Sequence, residues 1–287
     1  EKKGLGFHKA RMWDKVVDIH QCHLQAEPAN EIRNSVKAFA LEHQLDFFNP
    51  RDQEGFLRSL MIRNTKGGDF MVLIQFFREN KVQREALMDH LKKHFDIASL
   101  LYCINSKAND SLYDQEIICY DGKTYIVEEM EGLQFKINAK SFFQTNSEQA
   151  YELYKIARDF AGLKGDELVY DLYTGTGTIA QFIAKDCKKV VGVESVPEAI
   201  EAAQTNAKEN GINNAFFEVG DMRDVFNQDF INRHGKADVV ITDPPRNGMH
   251  PAVVKQLLLL EPKRIVYVSC NHATQARDLF LMKDQYK

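Results

Sequence analysis

Two hydrophobic rhythms divide the chain near its midpoint. From Pro28 to Gln44 apolar residues recur at helical spacing, with Ile32, Val36, Phe39, Ala40 and Leu41 on one side, which predicts an amphipathic helix. Asn49-Pro50-Arg51-Asp52 is a turn signal. Phe56–Ile62 and Phe70–Phe77 read as strands around a Lys66-Gly67-Gly68-Asp69 hairpin turn, and Glu85–Phe95 as a helix. Ser99–Ile104, Ile117–Tyr120, Thr124–Glu129 and Leu133–Ile137 read as further strands, with Asp121-Gly122 as a tight turn. The first half is expected to be α+β with mainly antiparallel pairing.

The rhythm changes near Ser147. An amphipathic helix, Glu148–Ala161, precedes five short apolar runs that alternate with helices: Leu168–Tyr173, Lys189–Val193, Ala215–Val219, Val239–Thr242 and Arg264–Ser269. Apolar strand-like runs that alternate with helices mark a parallel sheet covered on both faces. The boundary falls within residues 138–146, without a flexible linker. The expected domains are therefore 1–140, α+β, and 141–287, α/β with a mainly parallel sheet. No internal repeat or low-complexity segment is visible.

Composition narrows the class. The chain is 44% hydrophobic and 27% charged, which is globular and not disordered. No apolar run reaches the length of a membrane span, and the start, Glu1-Lys2-Lys3-Gly4, leads into no apolar signal core, so a cytoplasmic location without membrane association is expected. Five scattered cysteines without a C-x-x-C pair argue for a reducing compartment and against a complete metal site. The net charge of −4 is unusual for a nucleic-acid binder, although local basic patches can still hold phosphate. The first residue is not Met, and Phe280–Lys287 stops inside what reads as a helix. Both ends are expected to be cut, the second domain at its C-terminal side.

The chemistry gathers in the second half. Val169-Tyr170-Asp171-Leu172-Tyr173-Thr174-Gly175-Thr176-Gly177-Thr178 is a strand, a glycine-rich turn and a helix start. This is the Rossmann arrangement, in which bare backbone approaches a ligand at the carboxyl end of the strand. The next strand ends in Glu194, roughly 20 residues on, where an acid accepts from ribose hydroxyls. Asp221 follows the third strand, placed to reach an adenine. The alternative for both acids is a solvated or helix-capping role. Asp243-Pro244-Pro245-Arg246-Asn247-Gly248 leaves the fourth strand as a stiff loop. Asp243 can accept from a ring N–H and Arg246 can pair with phosphate; a merely structural turn is the alternative. Cys270 ends the fifth strand just before a helix, a setting that favours a reactive thiol. Taken alone, it reads instead as a small buried apolar side chain.

At these residues the sequence resembles the uracil-5 methyltransferases of tRNA and ribosomal RNA. The matching pieces are Ser141-Phe142-Phe143-Gln144-Thr145-Asn146, the loop from Asp171 to Thr178, Asp243-Pro244-Pro245-Arg246-x-Gly248, and Tyr267-Val268-Ser269-Cys270-Asn271-His272-Ala273-Thr274-x-Ala276-Arg277-Asp278. The loop also departs from the dinucleotide spacing and looks like the first motif of class I Rossmann methyltransferases. The resemblance implies S-adenosylmethionine held by Gln144, Tyr173, Gly175, Gly177, Thr178, Glu194, Asp221 and Asp243. It implies base recognition by Asp243 and covalent attack on uracil by Cys270, with RNA as the partner and no protein partner. The first half resembles the family's central, RNA-facing domain. Without the family, Phe142-Phe143-Gln144 reads as a strand end before a helix.

Three departures stand out. Thr174 occupies a position often held by cysteine. The family's catalytic glutamate lies tens of residues beyond the cysteine, outside this chain. Neither an N-terminal barrel nor a four-cysteine iron–sulfur cluster is present. Cys22 resembles the last ligand of such a cluster, whose other ligands, and so an iron–sulfur cofactor, are expected upstream of Glu1 in the full-length protein; an ordinary free cysteine is the alternative, and on that resemblance ribosomal RNA is preferred to tRNA. Competing readings are an amino-group methyltransferase using Asp-Pro-Pro, which does not need Cys270, and a catalytically idle RNA- or cofactor-binding module. RNA cytosine-5 methyltransferases carry a cysteine beside the proline motif, where this chain has Asp243-Pro244-Pro245-Arg246.

Overall fold

A computed structural model describes residues 4–286; the charged start Glu1-Lys2-Lys3 and the final Lys287 lie outside the described residues. The chain forms two compact units. One comprises the residues up to Val127 with Ile137–Lys140, the other Glu128–Lys136 with the chain from Ser141 onward.

The first unit opens with a short hairpin, β1 (Gly6–His8) and β2 (Val16–Asp18), too brief to carry a periodic signal. Helix α1 (Ala29–Glu42) buries Ile32, Val36, Phe39 and Ala40 as expected, but Leu41 points to solvent, because at 100° per residue it falls off the buried stripe. Strands β3 (Leu57–Asn64) and β4 (Phe70–Phe76) are antiparallel. Helix α2 (Lys81–His94) starts a turn before Glu85, because the Asn80 side chain caps it by accepting from Gln83 N–H at 3.2 Å. It carries the chain over to β5 (Ser99–Ile104), which therefore runs parallel to β4. Pairing in this half is mainly antiparallel, as expected, with β4–β5 at the centre of this sheet as the parallel exception. Strand β6 (Ile118–Gly122) closes the order β3-β4-β5-β6. Asp121-Gly122 is not a hairpin turn: Gly122 pairs with Ser99. Strand β7 (Tyr125–Met130) pairs instead with β8 (Leu133–Asn138) across Glu131-Gly132, both at positive φ.

The second unit is the α/β domain. In chain order its elements are α3 (Ser147–Ala161), β9 (Leu168–Leu172), α4 (Thr178–Ile183), β10 (Lys189–Glu194), α5 (Pro197–Glu209), β11 (Ala215–Val219), α6 (Met222–Val225), α7 (Gln228–His234), β12 (Val239–Thr242), α8 (Pro251–Leu260), β13 (Arg264–Tyr267) and α9 (His272–Met282). All five strands are parallel, in the order β11-β10-β9-β12-β13. Alternate side chains feed two cores. Val169, Val190, Val239, Ile241 and Val266 pack with Tyr154 and Phe182, while Tyr170, Leu172, Val191, Val193 and Val240 pack with Phe226, Phe230 and Leu257. This two-sided burial is why the strands read as unbroken apolar runs. The chain leaves β9 toward β10 and β11, then returns to its other side as β12 and β13. The direction reverses between β9 and β12, so the loops after these two strands border the crevice where such sheets bind ligands. The expected helix through the C-terminal residues ends at Met282, followed by turns.

Candidate active site

The loop after β9 rests on left-handed backbone: Tyr173, Gly175 and Gly177 have φ of 64°, 56° and 72°. Thr174 N–H donates to Val193 O at 3.0 Å, which ties the loop to β10. A Cβ on Gly177 would lie 2.7 Å from the Phe217 ring and 2.8 Å from Ala203 Cβ, so packing requires glycine there. A Cβ on Gly175 would meet nothing within 4 Å. Gly175 thus offers bare backbone to open space, as a closely held ligand requires. The Thr178 side chain is buried, with its hydroxyl 3.3 Å from that of Thr176, and faces into the loop. Tyr173 is half-buried, and burial pushes its phenol up to about 12.

Below the loop lies Asp171, fully buried. Its Oδ2 accepts from Thr174 Oγ1 at 2.5 Å and from Ala180 N–H at 3.1 Å, while Oδ1 has no partner. Burial, with the nearby charges of Asp243 and Glu194, pushes this carboxyl up to about 7 against the Thr174 hydrogen bond. Between its ordinary value of 3.8 and about 7 the folded protein binds the proton that the unfolded chain has released. This group's contribution to stability therefore falls as pH rises through that window. Asp171→Asn is expected to flatten the decline, as measured by urea unfolding at several pH values across the window. An equally steep decline in the variant would show that Asp171 is not its source.

Glu194 sits at the end of β10. Its Oε1 accepts from Ser195 N–H (2.7 Å), Ser195 Oγ (2.9 Å) and Val196 N–H (3.1 Å), and its Oε2 from Gly175 N–H (3.2 Å). The carboxylate is therefore fixed to the glycine loop, and Oε2 keeps a lone pair for a further donor. Asp221 differs. It caps α6 through Arg223 N–H (2.9 Å) and is gripped by the Arg223 guanidinium (3.0 and 2.6 Å), which holds its carboxyl down at about 2. Asp221 therefore caps α6, and any ligand must share this acid with Arg223. Gln144 is half-buried in an irregular segment ahead of α3, where the residues alone suggested a strand end. The segment is held by Phe143 against Phe135, with ring centroids 6.2 Å apart, and by Asn146 capping α3.

Asp243 extends β12 by one residue. Its N–H donates to Leu172 O at 3.3 Å, and Val268 N–H donates to Thr242 O at 2.9 Å, so the carboxylate stands between the ends of β9 and β13. It is half-buried, and burial raises its pKa. The loop that follows is clamped to α9. The exposed Arg246 offers its carbonyl to Asn271 Nδ2 (3.0 Å) and Thr274 Oγ1 (3.1 Å). Arg277 donates to Asn247 O (2.8 Å). Buried Asp278 accepts at one oxygen from Met249 N–H and the Tyr267 hydroxyl, both at 2.7 Å, and at the other from Arg277. Gly248 lets the clamp close: a Cβ there would fall 2.5 Å from Asp278 Oδ2. From the sequence these positions were legible only as a motif. Their hydrogen bonds to the Asp243 loop were not.

Cys270 is exposed at this rim, three residues beyond the last residue of β13, and Asn271 caps α9 directly after it. It is not the packed apolar side chain of the alternative reading. Cys103 and Cys187 are buried, and burial pushes their thiols up to about 11 and 12. The structure thus brings Tyr173, Gly175, Gly177, Glu194, Asp243 and Cys270 to the carboxyl ends of neighbouring strands.

These residues fit S-adenosylmethionine: open space over Gly175 admits its chain, and Glu194 can accept from its ribose. Cys22 is half-buried on a loop fastened to Asn30, and no group of three metal-ligating side chains gathers among the described residues. Nor is any described helix long and apolar enough to cross a membrane.

A family model for tRNA (uracil-5-)-methyltransferase matches residues 71–287. An uncharacterised RNA methyltransferase of Porphyromonas gingivalis is 57% identical over 282 residues, covering 97% of this chain and 61% of its own length. Another from Bacteroides thetaiotaomicron is 53% identical over 291 residues, covering 100% and 64%. The chain thus spans under two thirds of these relatives. The tRNA (uracil-54, C5)-methyltransferase of Pyrococcus abyssi, solved with S-adenosyl-L-homocysteine, superposes with a TM-score of 0.80 at 35% identity, covering 96% of this chain and 66% of that one.

Proposed function

Because the chain belongs to the tRNA (uracil-5-)-methyltransferase family, we propose that it transfers a methyl group from S-adenosylmethionine to carbon 5 of a uridine in tRNA or ribosomal RNA, through a covalent bond to Cys270. The observation that carries this reading is the placement of Asp243 and Cys270 at the carboxyl ends of adjacent strands, next to the glycine loop.

S-adenosylmethionine supplies an electrophilic methyl group. Glu194 accepts from its ribose, the Gly175 and Gly177 backbone gives it room, and Tyr173, Thr178, Gln144 and Asp221 border it. Asp243 accepts the uracil ring N–H and orients the base. The Cys270 thiolate adds to carbon 6, and the ring's electron pair moves toward carbon 5 as an enolate. Carbon 5, otherwise a poor nucleophile, would then take the methyl group, whose bond to the sulfonium sulfur would break with its electron pair left on that sulfur, giving S-adenosylhomocysteine. A general base, which the family resemblance puts on the C-terminal side of Cys270, takes the proton from carbon 5. The ring double bond re-forms and expels the thiolate. One hard step becomes several easier ones.

The test uses the full-length protein, labelled S-adenosylmethionine and RNA containing 5-fluorouracil. Fluorine at carbon 5 cannot leave as a proton, so a labelled, denaturation-resistant complex is expected, whereas ordinary RNA should yield 5-methyluridine. Label on a base amino group without a complex would favour the amino-group reading. At the cofactor end, Glu194→Ala is expected to weaken S-adenosylhomocysteine binding by roughly 10- to 100-fold in calorimetry, the loss of charge-assisted hydrogen bonds of about 1.5–3 kcal/mol. Unchanged affinity would remove Glu194 from the site.

A further inference from the structure

We propose that the β1–β2 hairpin is a contact surface for single-stranded RNA, with Trp13 as a base-stacking platform and Lys9, Arg11 and Lys15 as phosphate ligands. The choice of RNA rests on the function proposed above. The hairpin itself is assigned from its geometry and charge.

Strands β1 and β2 form a sheet of their own. A two-stranded hairpin is marginal alone, and this one is moored at both ends. Asp18 accepts from Leu5 N–H at 3.0 Å and pairs with Lys37, while Asp14 pairs with Arg51 at 2.5 Å. The tip is ordered by Lys9 N–H to Lys15 O (2.8 Å) and Met12 N–H to Lys9 O (2.9 Å). Yet its apolar side chains are uncovered. Trp13 is 66% exposed and Phe7 56%, and Met12, Val16 and Val17 are exposed as well. Phe7 and Val17 are partners across the ladder, so they share one face. An ordered surface with exposed aromatics is one that a partner covers.

Charge selects the partner. Lys9, Arg11 and Lys15 are exposed and form no ion pair among the described residues. The only acid of the tip, Asp14, is neutralised by Arg51. This local positive field stands on a chain of net charge −4, so it is not a by-product of a basic protein. Cations around exposed aromatic faces suit a strand whose phosphates and unpaired bases are both within reach. A duplex hides the faces of its bases, which is why the surface fits a single strand.

Trp13 is the sole tryptophan of the 287 residues, so its fluorescence reports on the hairpin, and subtracting the signal of Trp13→Phe isolates it. The chain is titrated with a single-stranded oligoadenylate, which contains no uridine. Quenching is expected to saturate together with binding followed by anisotropy of labelled RNA. Trp13→Ala should weaken binding about tenfold. Lys9→Ala, Arg11→Ala and Lys15→Ala combined should lower the slope of log affinity against log salt by about 2. Both variants should keep the melting temperature and S-adenosylhomocysteine affinity of the parent. RNA bound without a change at Trp13, no RNA bound at all, or variants that bind like the parent would each overturn the proposal. So would quenching by anionic phospholipid vesicles but not by RNA, which would assign the surface to a membrane. Because the probe lacks uridine, loss of 5-methyluridine formation with quenching intact would sink only the methyl-transfer reading.

Discussion

Cys270→Ala is expected to lower methyl transfer by on the order of 10^4-fold or more while leaving S-adenosylhomocysteine affinity within about twofold. In the proposed reaction the sulfur is the electron-pair donor that makes carbon 5 reactive, and without it that carbon remains a poor nucleophile. The side chain is exposed, so truncation leaves no cavity, and the change in stability should stay within about 0.5 kcal/mol. The 5-fluorouracil complex should vanish in the same variant. Cys270→Ser should do nearly as badly, since a hydroxyl is far less ionised than a thiol near neutral pH. Methyl transfer surviving at a tenth of the parental rate would end the covalent reading and favour amino-group chemistry, which leans on Asp243 but not on the thiol.

The second large effect belongs to Asp243. Asp243→Ala is expected to lower kcat/KM for RNA by roughly 10^3- to 10^4-fold. A hydrogen bond to a charged group contributes about 1.5–3 kcal/mol, and a base held about 1 Å out of line costs on the order of 10^2 more. Formation of the covalent complex should slow in parallel, because the base must be aligned before the sulfur can reach it. Asp243→Asn keeps a carbonyl acceptor and should fall between the two. Single-turnover rates across the three proteins provide the measurement, and a rate for Asp243→Ala within threefold of the parent would remove it from base recognition.

How far the sequence could be read depended on whether the signal was local. The strands of the α/β unit were legible because burial on both faces leaves short apolar runs, as in Val239-Val240-Ile241. Glu194 was legible because a carboxylate at a strand end, one crossover beyond a glycine turn, is a local pattern. Asp221 shows the limit. The same acid can meet a ligand or cap a helix, and its partner Arg223, two residues on, gives no periodic signal. The parallel β4–β5 pair was missed because strand direction follows from the helix between the strands and not from their composition. The first hairpin, at three residues per strand, is shorter than any period. The hydrogen bonds of Asn271, Thr274, Arg277 and Asp278 to the Asp243 loop span roughly 25 to 30 residues, so no reading of neighbours reveals them.

Those same bonds give the rim a shared fate. Because α9 begins directly after Cys270 and also holds the Asp243 loop, unwinding its first turns would, in the proposed reaction, blunt attack and loosen recognition in one event, while the strands beneath stay paired. Heat or mild denaturant should therefore silence the enzyme below the point at which the sheet itself melts. Attempts to retune its choice of base will have to alter both halves of that joint together.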